Sequence, residues 1–325
     1  MPTDIALMRD VVASAVAQPP WQDRSERSEF DVECFELGRA SAAAGQRLDE
    51  KGPKAYKESF AAFRGKTRHP AYVERKLLSL RLSAVKRGMV VDATVTPQHL
   101  RKLLVERCPV TLEPFDYGKN AKRNPSMDRL VNEVSYRAGN ICLLSKRANS
   151  GKGERSFKEV VELAQEGQPR FGLEGFEWMR LASLMYGAWA RAYSMSDPYL
   201  VPLAALPGHG IFTSTSQTVQ LLLTRQFSPG RDHQRAFARW AEMTHAAACE
   251  LDVLRVLTEP LVEALTDCPH KGDVWLNPDV FSAFSTWFNR CQHVVVPAIE
   301  GRMAELQSKF PEPGAGVDWL AVSPR

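Results

Sequence analysis

The chain has 325 residues, 44% of them hydrophobic, and a net charge of +4, which is enough apolar material for one large core or two to three small ones. No apolar run reaches the roughly 18 to 20 residues of a membrane span, and the opening MPTDIALMRDVVASAVAQPP carries acids where an export signal has a basic start before an apolar stretch. A folded cytoplasmic protein with no membrane association is expected, and its six scattered cysteines, without a CxxC pair, suit reduced thiols better than a disulfide framework.

In chain order, the first hundred residues read as helical, Ala-rich and charged, with breaks at Pro19-Pro20, Gly52-Pro53 and His69-Pro70. The stretch YVERKLLSLRLSAVKR from Tyr72 to Arg87 predicts a basic amphipathic helix ending at Gly88. Thr96 and Pro97 predict the N-cap and first turn of a helix running to about Arg107. After CPVTLEPF, Cys108 to Phe115, comes a Lys- and Asn-rich loop, DYGKNAKRNP. A strand is expected around Ser126 to Val131, a turn through Ser135 to Gly139, a second strand at Ile141 to Leu144, and a helix from near Ser145. Ser156 and Glu159 have the spacing of a capping box opening the helix SFKEVVELAQEG.

From about Arg170 the pattern is helical again: GFEWMRLASLMYGAWARAY, a Thr/Ser-rich stretch near Ile211 to Thr218, RDHQRAFARWAEMTHAAACELDVLRVL, and a last helix from about Asp279 to Phe310 before a loosely held tail. Aromatics and methionines recur here at helical spacing, as core residues do. The expected fold class is mainly α, with helical regions at 1–100 and 168–325 flanking a small strand-strand-helix unit at 101–167.

Charge is concentrated in that unit. Arg101 to Lys158 holds thirteen Lys plus Arg against six Asp plus Glu, a net +7 that leaves −3 for the rest of the chain. Local basicity of this kind fits a polyanion such as nucleic acid, and equally a solvated charged face.

The motifs from Cys108 to Lys152 resemble the HNH, or ββα-metal, nuclease family, in particular a phage and prophage group with the pattern C-x-x-T-G-x-P-F, P-S-x-D-R-I-D and G-Y-x-x-G-N, followed by an Asn on a closing helix. The matching residues are Cys108, Thr111, Pro114 and Phe115, then Pro125, Ser126, Asp128 and Arg129, then Tyr136, Gly139 and Asn140, and finally Asn149 and Lys152. The resemblance covers about fifty residues of the chain. It implies a small ββα-metal core with a Mg²⁺ or Mn²⁺ ion on Asp128 and Asn149. It also gives Asn140 the position that pins the loop between the strands; the local basicity makes Lys119, Lys122, Arg123, Lys146, Arg147 and Lys152 the expected contacts to double-stranded DNA. Origin in a phage, a prophage or a bacterial defence system is implied as well.

The departure from the family is Arg129, which stands where the usual Asp-His step supplies a general base, and an arginine cannot accept a proton near neutral pH. Arg129 could instead bind phosphate, His99 or Glu133 could fold back as base, or the unit could bind DNA without cutting it. In that last case the C-terminal helices would carry the function through a protein partner or a second copy. Zinc is not expected: Thr111 stands where a second Cys of a CxxC staple would be, so Cys108 and Cys142 are expected as a buried thiol pair. Cys268 with His270 and Cys291 with His293 form two C-x-H pairs at a spacing unusual for zinc.

Overall fold

The computed structural model describes residues 26–116, 122–195, 199–205, 211, 213–244 and 248–309. Within them the chain is mainly helical around one two-stranded antiparallel sheet. The amino-terminal stretch, Lys119, His209, His245 and the C-terminal tail lie outside the described residues.

Three apolar clusters organise the fold. Helices α1 (Glu26–Ala43) and α2 (Lys54–Ala62) bury Cys34, Leu37 and Tyr56 against Leu78 and Val85 of α3 (Tyr72–Val85). A bidentate pair, Arg81 to Glu33 at 2.6 and 2.7 Å, fastens α3 to α1. The opposite face of α3, with Val73, Leu80 and Ala84, belongs to the central cluster together with Leu100 of α4 (Pro97–Lys102). That cluster also takes in the strands β1 (Pro125–Arg129) and β2 (Ile141–Ser145) and the helices α5 (Lys146–Lys152), α6 (Phe157–Glu166) and α7 (Gly175–Ala192). The third cluster is C-terminal. Helices α8 (Thr215–Gln226), α9 (His233–Met243), α10 (Ala248–Asp267) and α11 (Pro278–Lys309), with the 3₁₀ turn Lys271–Leu276, bury Trp240, Trp275, Trp287 and Phe284.

These clusters cut across the expected boundaries at 100 and 168. Helices α3 and α4 contribute side chains to the same central cluster as the strands, and α7 fills that core rather than the C-terminal one. Arg180 on α7 spans both parts, donating to Val110 O at 3.3 Å and to both carboxylate oxygens of Asp273 at 3.0 and 2.6 Å.

Local chemistry explains most element ends. Thr96, Ser145 and Ser156 cap their helices through side-chain oxygens that accept from His99 N, Ala148 N and Glu159 N, and Glu159 completes the capping box by accepting from Ser156 N at 2.8 Å. The helix expected to reach Arg107 stops at Lys102. The following backbone turns into a small hairpin, with Phe115 N donating to Glu106 O and Cys108 N to Glu113 O, both at 3.0 Å. The Thr/Ser-rich stretch near 211–218 begins α8, because Ser214 accepts from Gln217 N and opens a helix there.

The tip of the Glu106–Phe115 hairpin is strained. Leu112, at the glycine position of the C-x-x-T-G-x-P-F pattern, has a φ of 56°, a left-handed conformation that a side chain bearing a Cβ adopts at a cost. Leu112→Gly is expected to raise stability by roughly 0.5 to 1 kcal/mol, read as a higher urea midpoint at unchanged slope.

Candidate functional site

Strand β1 pairs with β2 so that Asp128 stands opposite Cys142 and Ser126 opposite Leu144. Alternation along a strand puts Ser126 and Asp128 on one face and Arg129 on the other. Helix α5 follows β2 without a loop, since Ser145 is both the last strand residue and the helix cap. Its residues Asn149 and Lys152, three apart and therefore neighbours on one helix face, both reach back over β1. Asn149 Nδ2 donates to Ser126 Oγ at 2.7 Å. Lys152 Nζ lies 3.1 Å from Asp128 Oδ2 and donates to Asn132 Oδ1 at 2.9 Å.

Ser126, Asp128 and Asn149 open onto a cleft of about 220 Å³, walled on its far side by Lys76, Ser79, Leu80, Ser83 and Arg87 of α3 and its C-terminal end, with Tyr136 at one side. Asp128 is only 9% exposed. Burial pushes its carboxyl above the ordinary carboxylate range, against the opposing pull of the Lys152 ammonium. Behind it, the Cys142 thiol is driven well above the usual thiol range, chiefly by burial and further by Cys108 and Asp128. Cys108 and Cys142 are both free and buried, and Cys108 Sγ accepts from Ser145 N at 3.3 Å.

Arg129 faces away from the cleft. Its Nη1 donates to Asn132 O at 2.5 Å and contacts Met89 Sδ at 3.1 Å, while the guanidinium lies 5.1 Å from the centroid of the Tyr136 ring. It is 6% exposed and serves the loop after β1, so a phosphate contact is not open to it. Asn140 closes the same loop from the other side: Oδ1 accepts from Val131 N at 2.8 Å, and Nδ2 donates to Val131 O at 3.1 Å, Val134 O at 3.3 Å and Ser135 O at 3.1 Å. Neither His99, buried on α4, nor Glu133, exposed beyond β1, lines the cleft.

The expected DNA contacts divide. Lys122 and Lys146 are exposed. Arg123 lies 3.6 Å from Asp116, and Arg147 is taken up by Glu177 at 2.9 and 2.5 Å and by Gly172 O at 2.8 Å. Lys152, read from the sequence as a DNA contact, is fully buried because its ammonium is the counter-charge of Asp128. Sequence reasoning missed Lys76 and Arg87. The signal was present in the basic helix from Tyr72 to Arg87, but nothing local shows that this helix meets a strand some forty residues later.

Among the described residues no group of three or more His, Cys, Asp or Glu is arranged to hold a metal ion. Of the two C-x-H pairs, Cys291 is buried in the C-terminal core while His293 is exposed on the same helix. Mg²⁺ asks for less than such a group. It takes one or two carboxylates, keeps much of its water and shares a substrate phosphate, and the hard oxygens of Asp128, Asn149 and Ser126 fit an ion bound in that shared way. No family model, curated protein or solved structure matches the chain. Among the described residues, no helix is long and apolar enough to cross a membrane.

The ion pair makes the site testable. Lys152→Met leaves a buried carboxylate without its counter-charge and Asp128→Asn leaves a buried ammonium, so each is expected to cost about 3 kcal/mol. The double variant should cost at least about 1 kcal/mol less than the two single losses together. Urea denaturation of the four proteins checks this, and additive losses would show that the two groups do not interact.

Proposed function

We propose that the chain is a metal-dependent endonuclease of the HNH kind acting on duplex DNA. The observation that carries this reading is the placement of Asp128 and Asn149, from β1 and α5, on one cleft beneath two cations of α3. Mg²⁺ or Mn²⁺, when bound there, supplies Lewis acidity at the scissile phosphate and charge stabilisation at the leaving oxygen. The chain's own residues do the rest. Asp128 and Asn149 hold the ion, Ser126 orients the Asn149 amide, and Lys152 fixes the Asp128 carboxylate from behind. Asn140 and Arg129 clamp the loop whose Asn132 fixes the Lys152 ammonium. No histidine is among the described residues that line the cleft, so the proton of the attacking water passes to solvent or to a substrate oxygen rather than to an imidazole.

One observation favours a second reading, a DNA-binding protein that does not cut: the Lys152 ammonium already supplies positive charge 3.1 Å from Asp128. A plasmid-nicking assay separates the two. For the endonuclease, supercoiled plasmid is nicked with Mg²⁺ or Mn²⁺ and not in chelator, and Asp128→Asn or Asn149→Ala lowers the rate roughly 10²-fold or more while the protein stays folded. Chelator-insensitive DNA binding with no nicking in any divalent metal would favour the second reading. Nicking that survives both substitutions would rule out this site.

A further inference from the structure

Helix α3 divides its surface among three neighbours. Leu78 and Val85 face the N-terminal cluster, Val73, Leu80 and Ala84 face the central core, and a polar stripe is left over the cleft. The stripe is Lys76, Ser79, Ser83 and Arg87, with Leu80 at its edge. Lys76, Ser79 and Ser83 recur at three- and four-residue steps along one helix face, and Arg87 continues the line in the turn after α3. At 1.5 Å per residue the stripe is about 16 Å long, or four to five nucleotides at the roughly 3.4 Å rise of one DNA strand.

Its charge is not consumed by the fold. Ser79, Ser83 and Arg87 are exposed and Lys76 is half-buried. Arg87 donates to Tyr136 Oη at 2.8 Å, and the Tyr136 ring lies 5.1 Å from the Arg129 guanidinium, so a tyrosine hydroxyl rather than a carboxylate orients Arg87. Asp128 is the one carboxylate among the described residues lining the cleft, and Lys152 pairs with it from behind. The cleft therefore presents two cations and the Ser83 hydroxyl above a floor whose carboxylate is already paired. At about 220 Å³ it is smaller than the roughly 300 to 1,000 Å³ pockets that enclose whole small ligands. It suits one charged group of a longer polymer.

We propose that this stripe is a clamp for the DNA backbone. Lys76 and Arg87 contact phosphates on either side of the one presented to Asp128 and Asn149, and the Ser83 hydroxyl donates between them, the Ser79 hydroxyl being taken up by Arg75 O at 2.9 Å. Contacts of this kind fix register without reading sequence. The proposal rests on the reading of Asp128 and Asn149 as a phosphodiester site, yet it is separable from it because the clamp needs no metal.

The test is fluorescence anisotropy of the full chain on a short labelled duplex in chelator, across a salt series. Lys76→Gln with Arg87→Gln should weaken binding roughly tenfold or more and reduce the log–log salt slope by about 1.8, since each lost phosphate contact removes about 0.9. Lys86→Gln serves as the control. That ammonium pairs with Asp49 at 2.8 Å and does not line the cleft, so its loss should leave affinity and slope unchanged. An unaltered slope in the double variant, or an equal loss from Lys86→Gln, overturns the clamp even if the protein nicks DNA. The expected slope change in a protein that fails to nick in any divalent metal supports the clamp while the endonuclease reading falls. Failure of the unsubstituted chain to bind duplex at the lowest salt overturns both.

Discussion

A fully buried lysine ammonium resting on a nearly buried carboxylate is the constraint around which the central unit is built. Taking either charge out of water costs several kcal/mol, and an unpartnered one could not be kept there. The Lys152–Asp128 pair therefore obliges α5 to lie across β1, and it fixes the Asp128 side chain at the edge of the cleft. Asn132 completes the arrangement by accepting from the same ammonium. Asn132 in turn sits in the loop that Asn140 ties down through Val131, Val134 and Ser135. A chain of contacts thus runs from the amide of Asn140, through a loop and a lysine, to the carboxylate facing the cleft.

The same loop accounts for Arg129. An arginine at this position cannot work as a base, and its guanidinium is occupied by the carbonyl of Asn132 and by Met89 beside the Tyr136 ring. Tyr136 then hands orientation on to Arg87 across the cleft. Arg129 is thus a structural support between the loop and the wall formed by α3. The strain at Leu112 lies in a different hairpin, whose Cys108 and Val110 are buried in the central core.

Much of the local architecture was legible in the sequence because its causes are local. The hydroxyl caps at Thr96 and Ser156, and both strands within one or two residues, follow from side chains next to the backbone they control. What was not legible depends on partners far along the chain. Lysine 152 reads as surface charge until Asp128 is found beneath it. Arg147 reads as a DNA contact until Glu177, thirty residues on, captures it. The role of α3 is the clearest case: the sequence shows a basic amphipathic helix, and only the fold shows that Arg87 meets Tyr136 across forty-nine residues. The apolar periodicity of α7 was correctly suggestive of core, but which core it fills is decided by packing alone.

The central claim is that Asp128 and Asn149 form one cation site whose floor is held by Lys152. Its most direct measure is Mn²⁺ binding to the full chain followed by electron paramagnetic resonance of the free ion, with uncleaved duplex DNA present to supply the shared phosphate. The account predicts one Mn²⁺ bound per chain, with binding lost on Asn149→Ala in a protein that remains folded. Mn²⁺ uptake unchanged by that substitution, or no uptake by the unsubstituted chain with DNA bound, would contradict it.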